Sequence, residues 1–240
     1  MVAWSSPLLG RVGASVGQYA SVSSLSEPIQ PPTPARRSAE VTLADGTRLL
    51  IRPITPDDKD ALRRGFERMS PDSRYRRFFA PMTRLSTAML RALTEVDYYN
   101  QFAWVALACE DEQTELVGVA RYIRLPDPAT AEVAVAVIDP YHGRGIGTLL
   151  LDALVPEALQ AGIRRFEGSI LSDNHAMRAV LASTDARFFR DEERGATAFH
   201  IDLPERAEEL RGHAVVDLLR RLARGEADLY HAEPCPWVTR

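Results

Sequence analysis

The chain has 240 residues, 45% hydrophobic and 26% charged, with a net charge of −4. That length suits one domain with extensions, since domains centre on about 100–150 residues, and no apolar run approaches the roughly 20 residues of a membrane helix. The acidic balance argues against a general nucleic-acid binder, which needs a basic surface to displace counterions from phosphate.

Residues 1–38 are rich in Ser, Gly, Pro and Ala and end in a Pro-rich run, PIQPPTPARR, that favours extended, solvated backbone. They read as a disordered leader rather than a signal peptide, because no basic start precedes an uninterrupted apolar stretch. Folded structure is expected over 39–204. EVTLADGTRLLIRP reads as a hairpin turning at Asp45-Gly46, the pair best able to take positive φ. Thr55-Pro56-Asp57-Asp58 marks a helix start, with the helix running to about Met69; Ser70-Pro71 starts a second and Ser86 a third, TAMLRALTEVD. Arg74, Arg76 and Arg77 on the second read as a solvated face or as ion-pair partners. Two strands follow, FAWVALACE and ELVGVARYIRL. The third, AEVAVAVI, alternates Val133, Val135 and Val137 with Glu132, Ala134 and Ala136, the pattern of a mostly buried strand.

Beyond AEVAVAVI comes the turn His142-Gly143-Arg144-Gly145-Ile146-Gly147, running straight into the leucine-rich helix TLLLDALVPEALQAG. Gly162 ends that helix. GIRRFEGSIL is another strand, SDNHAMRAVLAS a short helix capped by Ser172 or Asp173, and Phe188–Asp191 with ATAFHIDL a last hairpin. The order implies a mixed α/β (α+β) fold, with helices on both faces of a splayed sheet. From Glu205 the apolar positions Leu210, Ala214, Leu218 and Leu222 recur at helical spacing. Residues 205–240 thus read as a C-terminal helix and tail, docking on the parent domain or on a partner, a homodimer being one outcome. Cys109 and Cys235 show no metal-ligand spacing and read as reduced thiols of a cytoplasmic protein, Cys109 in the core; the histidines form no metal cluster.

A glycine-rich turn between a strand and a helix leaves backbone N–H groups pointing outward at the positive end of the helix dipole, which holds a phosphate or pyrophosphate. The turn lacks the Gly-Lys-Ser/Thr ending of a nucleoside-triphosphate loop and the Gly-x-Gly-x-x-Gly spacing of a dinucleotide fold. It resembles instead the acetyl-coenzyme A signature of the GNAT N-acetyltransferases, Gln/Arg-x-x-Gly-x-Gly/Ala, with His142 where Gln or Arg is usual. The resemblance extends from about Ala39 to Leu203. RPITPDD and FERMSPDSRYRRFFAPM are similar to the catalytic domain of bacterial Pat-type protein lysine acetyltransferases, some of them controlled by cyclic AMP. The leader is far too short for a cyclic-nucleotide domain.

The resemblance implies the GNAT fold, a mostly antiparallel sheet of about six or seven strands. It also implies acetyl-CoA as co-substrate, with its pyrophosphate on the turn from His142, Gly143, Arg144 and Gly145 through Ile146, Gly147 and Thr148. The peptide-like pantetheine arm would add to the strand edge at Val135, Val137 and Ile138, near which a freed N–H would polarise the thioester carbonyl. Asn174 matches the asparagine that contacts that arm. His142 and Arg144 have a phosphate role and a plain structural role open to them. Leu181 stands where the family often carries a tyrosine acid, and Asp185-Ala186-Arg187-Phe188 replaces the usual Gly-Phe, so no general acid is assigned.

Glu132 falls where histone-type members carry a general-base glutamate. An alkylammonium, with pKa about 10.4, must lose a proton before it attacks, and burial without an opposite charge raises a carboxylate toward that task. The competing reading is an ion pair with Arg121 or Arg124. Asp97, Tyr98 and Tyr99 either line the acceptor side or pack structurally. The expected activity is acetyl transfer to an amine, a protein lysine by the Pat likeness. A small-molecule amine, or a non-catalytic acyl-CoA-binding module, remains the alternative.

Overall fold

A computed structural model describes residues 38–205, apart from 111–112, 183 and 192–195. The leader, the C-terminal helix and Cys235 lie outside the described residues. Within them, eight strands form one sheet: β1 (Ala39–Thr42), β2 (Arg48–Pro53), β3 (Gln101–Glu110), β4 (Gln113–Arg124), β5 (Thr130–Val137), β6 (Arg165–Leu171), β7 (Arg187–Asp191) and β8 (Ala196–Asp202). The order is β1-β2-β3-β4-β5-β6-β8-β7, antiparallel throughout except for β5 beside β6. Both short hairpins, at the two ends of that order, belong to the sheet and bring it to eight strands, against an expectation of about six or seven.

Local chemistry sets the boundaries. Gly46 takes φ 86° at the tip of the first hairpin, and the Asp45 carboxylate accepts the amide of Thr47. The first helix opens with a tight 3-10 turn, Pro56–Asp58, before α1 (Lys59–Glu67). The buried Asp58 carboxylate causes this: it accepts the Thr55 amide at 2.7 Å and both arms of Arg52 at 2.8 and 2.6 Å. Ser70 caps α2 (Pro71–Phe78), and Ser86 caps α3 (Thr87–Thr94). The third helix stops short of its expected end because the Asp97 carboxylate gathers the amides of Tyr99, Asn100 and Gln101 into a loop. Then come α4 (Ile146–Gln160), closed by Gly162 at φ 79°, and α5 (His175–Ala182). Asn174 caps α5, its Oδ1 accepting the Met177 amide; the expected cap at Ser172 or Asp173 falls too early.

Strand alternation sorts the two faces. A Cβ on Gly147 would touch Val135 and Val137, and one on Gly118 would press to 2.9 Å from Leu150 and 3.1 Å from Ile146, so α4 lies against the valine face of β5. α5 shares that face, with Arg178 over the Phe188 ring at 5.1 Å. Glu132, Ala134 and Ala136 point the other way, beneath α1, α2 and α3, whose Phe66 and Phe78 rings meet edge to face at 5.8 Å. Cys109 is half-buried at the rim of the smaller core cluster, not within it.

Candidate active site

The sheet comes apart at one place. β5 and β6 pair through Thr130↔Arg165, Ala131↔Phe166 and Glu132↔Glu167, and there the ladder ends. β5 nevertheless continues to Val137 and β6 to Leu171, so their facing edges diverge as a wedge with Glu132 and Glu167 at its apex. Among the described residues no strand pairs with the inner edge of β5 beyond that rung, which leaves main-chain donors and acceptors available to an extended ligand. The Val135 side chain is buried in the core, so that position offers main chain and nothing else. Ile138, also buried, has spent its main chain, its amide donating to the Val117 carbonyl at 2.9 Å and its carbonyl accepting the Tyr141 amide at 3.0 Å, so the expected place for Ile138 on the ligand edge is not kept.

At the wide end of the wedge, β5 passes through a 3-10 turn, Asp139–Tyr141, into the glycine turn. Asp139 anchors it to α2: its carboxylate accepts the Ser70 amide at 2.9 Å and the hydroxyls of Ser70 and Ser73 at 2.7 and 2.9 Å. Partial burial would raise its pKa, but those hydrogen bonds outweigh it and hold the group below the usual carboxylate range. Gly143 and Gly145 take φ 75° and 83°, and a Cβ at either would meet nothing within 4 Å. Glycine is required there for conformation, not for room. Gly145 precedes α4, whose first turn leaves the amides of Ile146, Gly147 and Thr148 without an intrahelical acceptor. The turn therefore meets the requirements of a diphosphate: unspent N–H groups at a helix N-terminus and no side chain in the way.

Two residues of the turn are occupied structurally. His142 folds back so that its Nε2 lies 2.8 Å from the Val137 carbonyl, which closes the turn on the strand. Arg144 leans on the Tyr141 ring and donates to the Pro140 carbonyl and the Thr47 hydroxyl, with Asp45 at 3.3 Å. It clips the first hairpin to the glycine turn.

At the apex, Glu132 is only 4% exposed. Register with β4 places Arg121 on its face, whereas Arg124 lies on the opposite face. Arg124 packs on Tyr99 and donates to Asn100 and the Ala161 carbonyl, so it is not the partner of Glu132. The expectation that Glu132 lacks an opposite charge also fails. Arg77, carried by α2, is 5% exposed rather than solvated and lies near enough to feel the carboxylate's charge. Burial lowers the Arg77 pKa to about 10 and Glu132 opposes that; burial and then the charge of Arg77 lower Arg121 to about 9. Arg121 donates to the Leu93 carbonyl at 3.2 Å. Both arginines border an otherwise apolar pocket beneath α1 and α2, walled by Leu62, Phe66, Phe78 and Leu93.

Across the wedge, Asn174 is 1% exposed at the start of α5, and its neighbour Asp173 pairs with Arg76 of α2 at 3.5 Å. The helix α2 thereby spans the gap, with Arg77 directed inward. Leu181 is fully buried and supplies no acid. Tyr98 donates to the Ile54 carbonyl, and Tyr99 lies exposed under Arg124, so Asp97, Tyr98 and Tyr99 form a structural loop end. The signal that could have revealed Arg77 is its place with Ser73, four residues earlier, and Phe78 on the buried side of α2.

Comparison with known proteins matches residues 48–187 to the Acetyltransferase (GNAT) domain, more than half of the chain. The chain belongs to the GNAT acetyltransferase family. It is 36% identical over 165 residues to Acetyltransferase Pat of Mycolicibacterium smegmatis, a match covering 68% of this chain and 48% of that protein. The chain thus spans about half the length of that relative. An acetyltransferase of Pseudomonas aeruginosa is 31% identical over 159 residues, 66% of this chain and 86% of its own. Among solved structures, the GNAT domain of S. lividans Pat superposes with a TM-score of 0.64 at 33% identity, covering 69% of this chain and 97% of that one. The enzyme is accordingly an N-acetyltransferase with the GNAT fold, its wedge lying in the one parallel pair of the sheet.

Proposed function

We propose that this N-acetyltransferase carries the acetyl group of acetyl-CoA directly to the side-chain amine of a protein lysine, in the cytoplasm. The observation that carries the reading is the buried carboxylate at the apex of a wedge that leads from an amide-lined turn. Coenzyme A supplies an acyl thioester. Its pyrophosphate would rest on the turn from His142 to Thr148, its pantetheine arm along the β5 edge at Val135 and Val137, with Asn174 on the opposite lip. The name Pat among the relatives, and an apolar pocket suited to the methylenes of lysine, support a lysine acceptor. Among the described residues no helix is long and apolar enough to cross a membrane.

Glu132 takes the proton of the acceptor amine, directly or through one water, so that a neutral amine attacks. A β5 amide freed by the wedge, near Val135 to Val137, donates to the oxyanion as it develops. With Leu181 apolar, the departing thiolate takes its proton from solvent or from the amine, since a thiol pKa near 8.5 makes it a tolerable leaving group. Replacing Glu132 by Gln tests this. The variant should bind CoA as the wild type does while turnover on a lysine substrate falls by about 10² or more. Undiminished turnover would remove Glu132 from the role of base. Wild-type CoA binding with no acceptor in a panel of proteins, peptides and small amines would leave an acyl-CoA-binding module; transfer to small amines alone would replace the lysine reading.

A further inference from the structure

Resting on the assignment of Glu132 as base, we propose that Arg77 is its positioning residue. The guanidinium, delivered by α2 across the mouth of the wedge, fixes the Glu132 carboxylate in direction and keeps it ionised, ready to accept a proton near neutrality.

A carboxylate and a guanidinium buried on one sheet face are each costly unless they meet, because an isolated charge loses its hydration. Arg77 and Glu132 are 5% and 4% exposed, and the charge of Glu132 acts on Arg77. α2 is held so that Arg77 must point inward. Asp139 grips its first turn through Ser70 and Ser73, Arg76 ties its outer side to Asp173, and Phe78 locks it to Phe66. An arginine carried only to fill space would not need three such constraints around it. Lysine would deliver the charge but not the planar fork that holds a carboxylate at a fixed angle.

The other charged and titratable groups facing Glu132 come from the strands on either side. Arg121 stands on β4, held by the Leu93 carbonyl. Glu167 is its rung partner on β6, and His200 lies one strand further on β8. Glu167 repels a second negative charge and so favours protonation of Glu132; Arg77 and Arg121 oppose that. Removing Arg77 shifts the balance toward the protonated, inactive acid.

The test is the pH profile of kcat for lysine acetylation by the full chain, with CoA affinity as a control for folding. In Arg77→Gln the rising limb moves up by about 1–2 pH units, as expected when a nearby opposite charge is lost, so activity is poor at neutrality and recovers in alkali. The KM for acetyl-CoA stays within about twofold, since the glycine turn is untouched. In Arg77→Lys the limb stays at its wild-type position while kcat falls by about tenfold at every pH, because charge remains and direction is lost. A Gln profile parallel to wild type would overturn the proposal. So would a Lys variant with wild-type kcat, or one with its limb displaced, and these outcomes decide the matter even where the Gln variant does not fold. Glu132→Gln run alongside separates the two assignments. If it keeps full turnover the base itself is wrong; if it is inactive and the Arg77 variants behave as wild type, only the positioning role fails.

Discussion

Gly145 and Gly162 bracket α4, and replacing each by alanine separates what the turn does for a ligand from what left-handed backbone costs the fold. Both have positive φ, 83° and 79°, and a methyl group at either meets nothing within 4 Å. The penalty is therefore conformational, about 1–2 kcal/mol for a Cβ in that region. Urea denaturation should show the same loss for both variants. Their effects on the ligand differ. Strain at Gly145 relaxes by rotating the peptide planes on either side, whose N–H groups face the diphosphate in the proposed complex. Binding must restore them and so reinstates the strain, which weakens CoA by up to about tenfold, the equivalent of 1.4 kcal/mol. Gly162 closes the far end of the helix, where the Ile163 amide donates to the Ala158 carbonyl at 2.9 Å, and its variant should bind CoA as the wild type does. Calorimetry reads the difference. Matched losses of stability with unchanged CoA affinity in both would refute the assignment of the diphosphate to these amides.

Two further outcomes follow from packing and charge. A Cβ at Gly118 would stand 2.9 Å from Leu150 Cδ1 and 3.1 Å from Ile146 Cγ2, both residues essentially without exposure. Gly118→Ala should lower stability by about 1–3 kcal/mol in urea titrations, and a smaller residue at 150 should recover part of it. Burial would raise the pKa of Asp58, but hydrogen bonds from Arg52 and Thr55 outweigh that and depress it. A depressed folded pKa contributes stability that is whole above the unfolded value near 3.9 and is lost as pH falls through the folded one. Denaturation midpoints between pH 6 and 2.5 should therefore drop on the acid side, and Asp58→Asn, already lacking the contribution, should flatten that limb; an unchanged slope would exclude Asp58 as its source.

Much of this was legible because its causes are local. Asp45-Gly46, Ser70-Pro71, Ser86 and Gly162 act through their own neighbours, and each ends or starts an element where the sequence implied. The glycine turn was legible for the same reason, since two left-handed residues and a helix start lie within a few positions. Arg77 was not. Pro-Asp-Ser-Arg-Tyr-Arg-Arg reads as a polar surface, and only a carboxylate fifty-five positions away, brought close by the sheet, makes burial of one of its arginines affordable. Asn174 was found through the resemblance, but not its local work, the capping of α5 by its amide oxygen. Arg144, isolated in a glycine loop, takes partners from the first hairpin, ninety-odd residues earlier, which no short-range pattern contains.

Among the described residues the ladder between β5 and β6, where the two plates of this sheet meet, has three rungs, with the Arg164 and Arg165 amides donating to the Ala129 carbonyl just below it. On one side lie β1 to β5, on the other β6, β8 and β7. The width of the gap between them is thus governed by the seam, where Ala131 and Phe166 sit with no exposed surface. Substitutions there would alter the clearance offered to an acyl chain without any atom of the changed residue reaching it, so breadth of donor choice can drift in this enzyme through positions that never meet a donor.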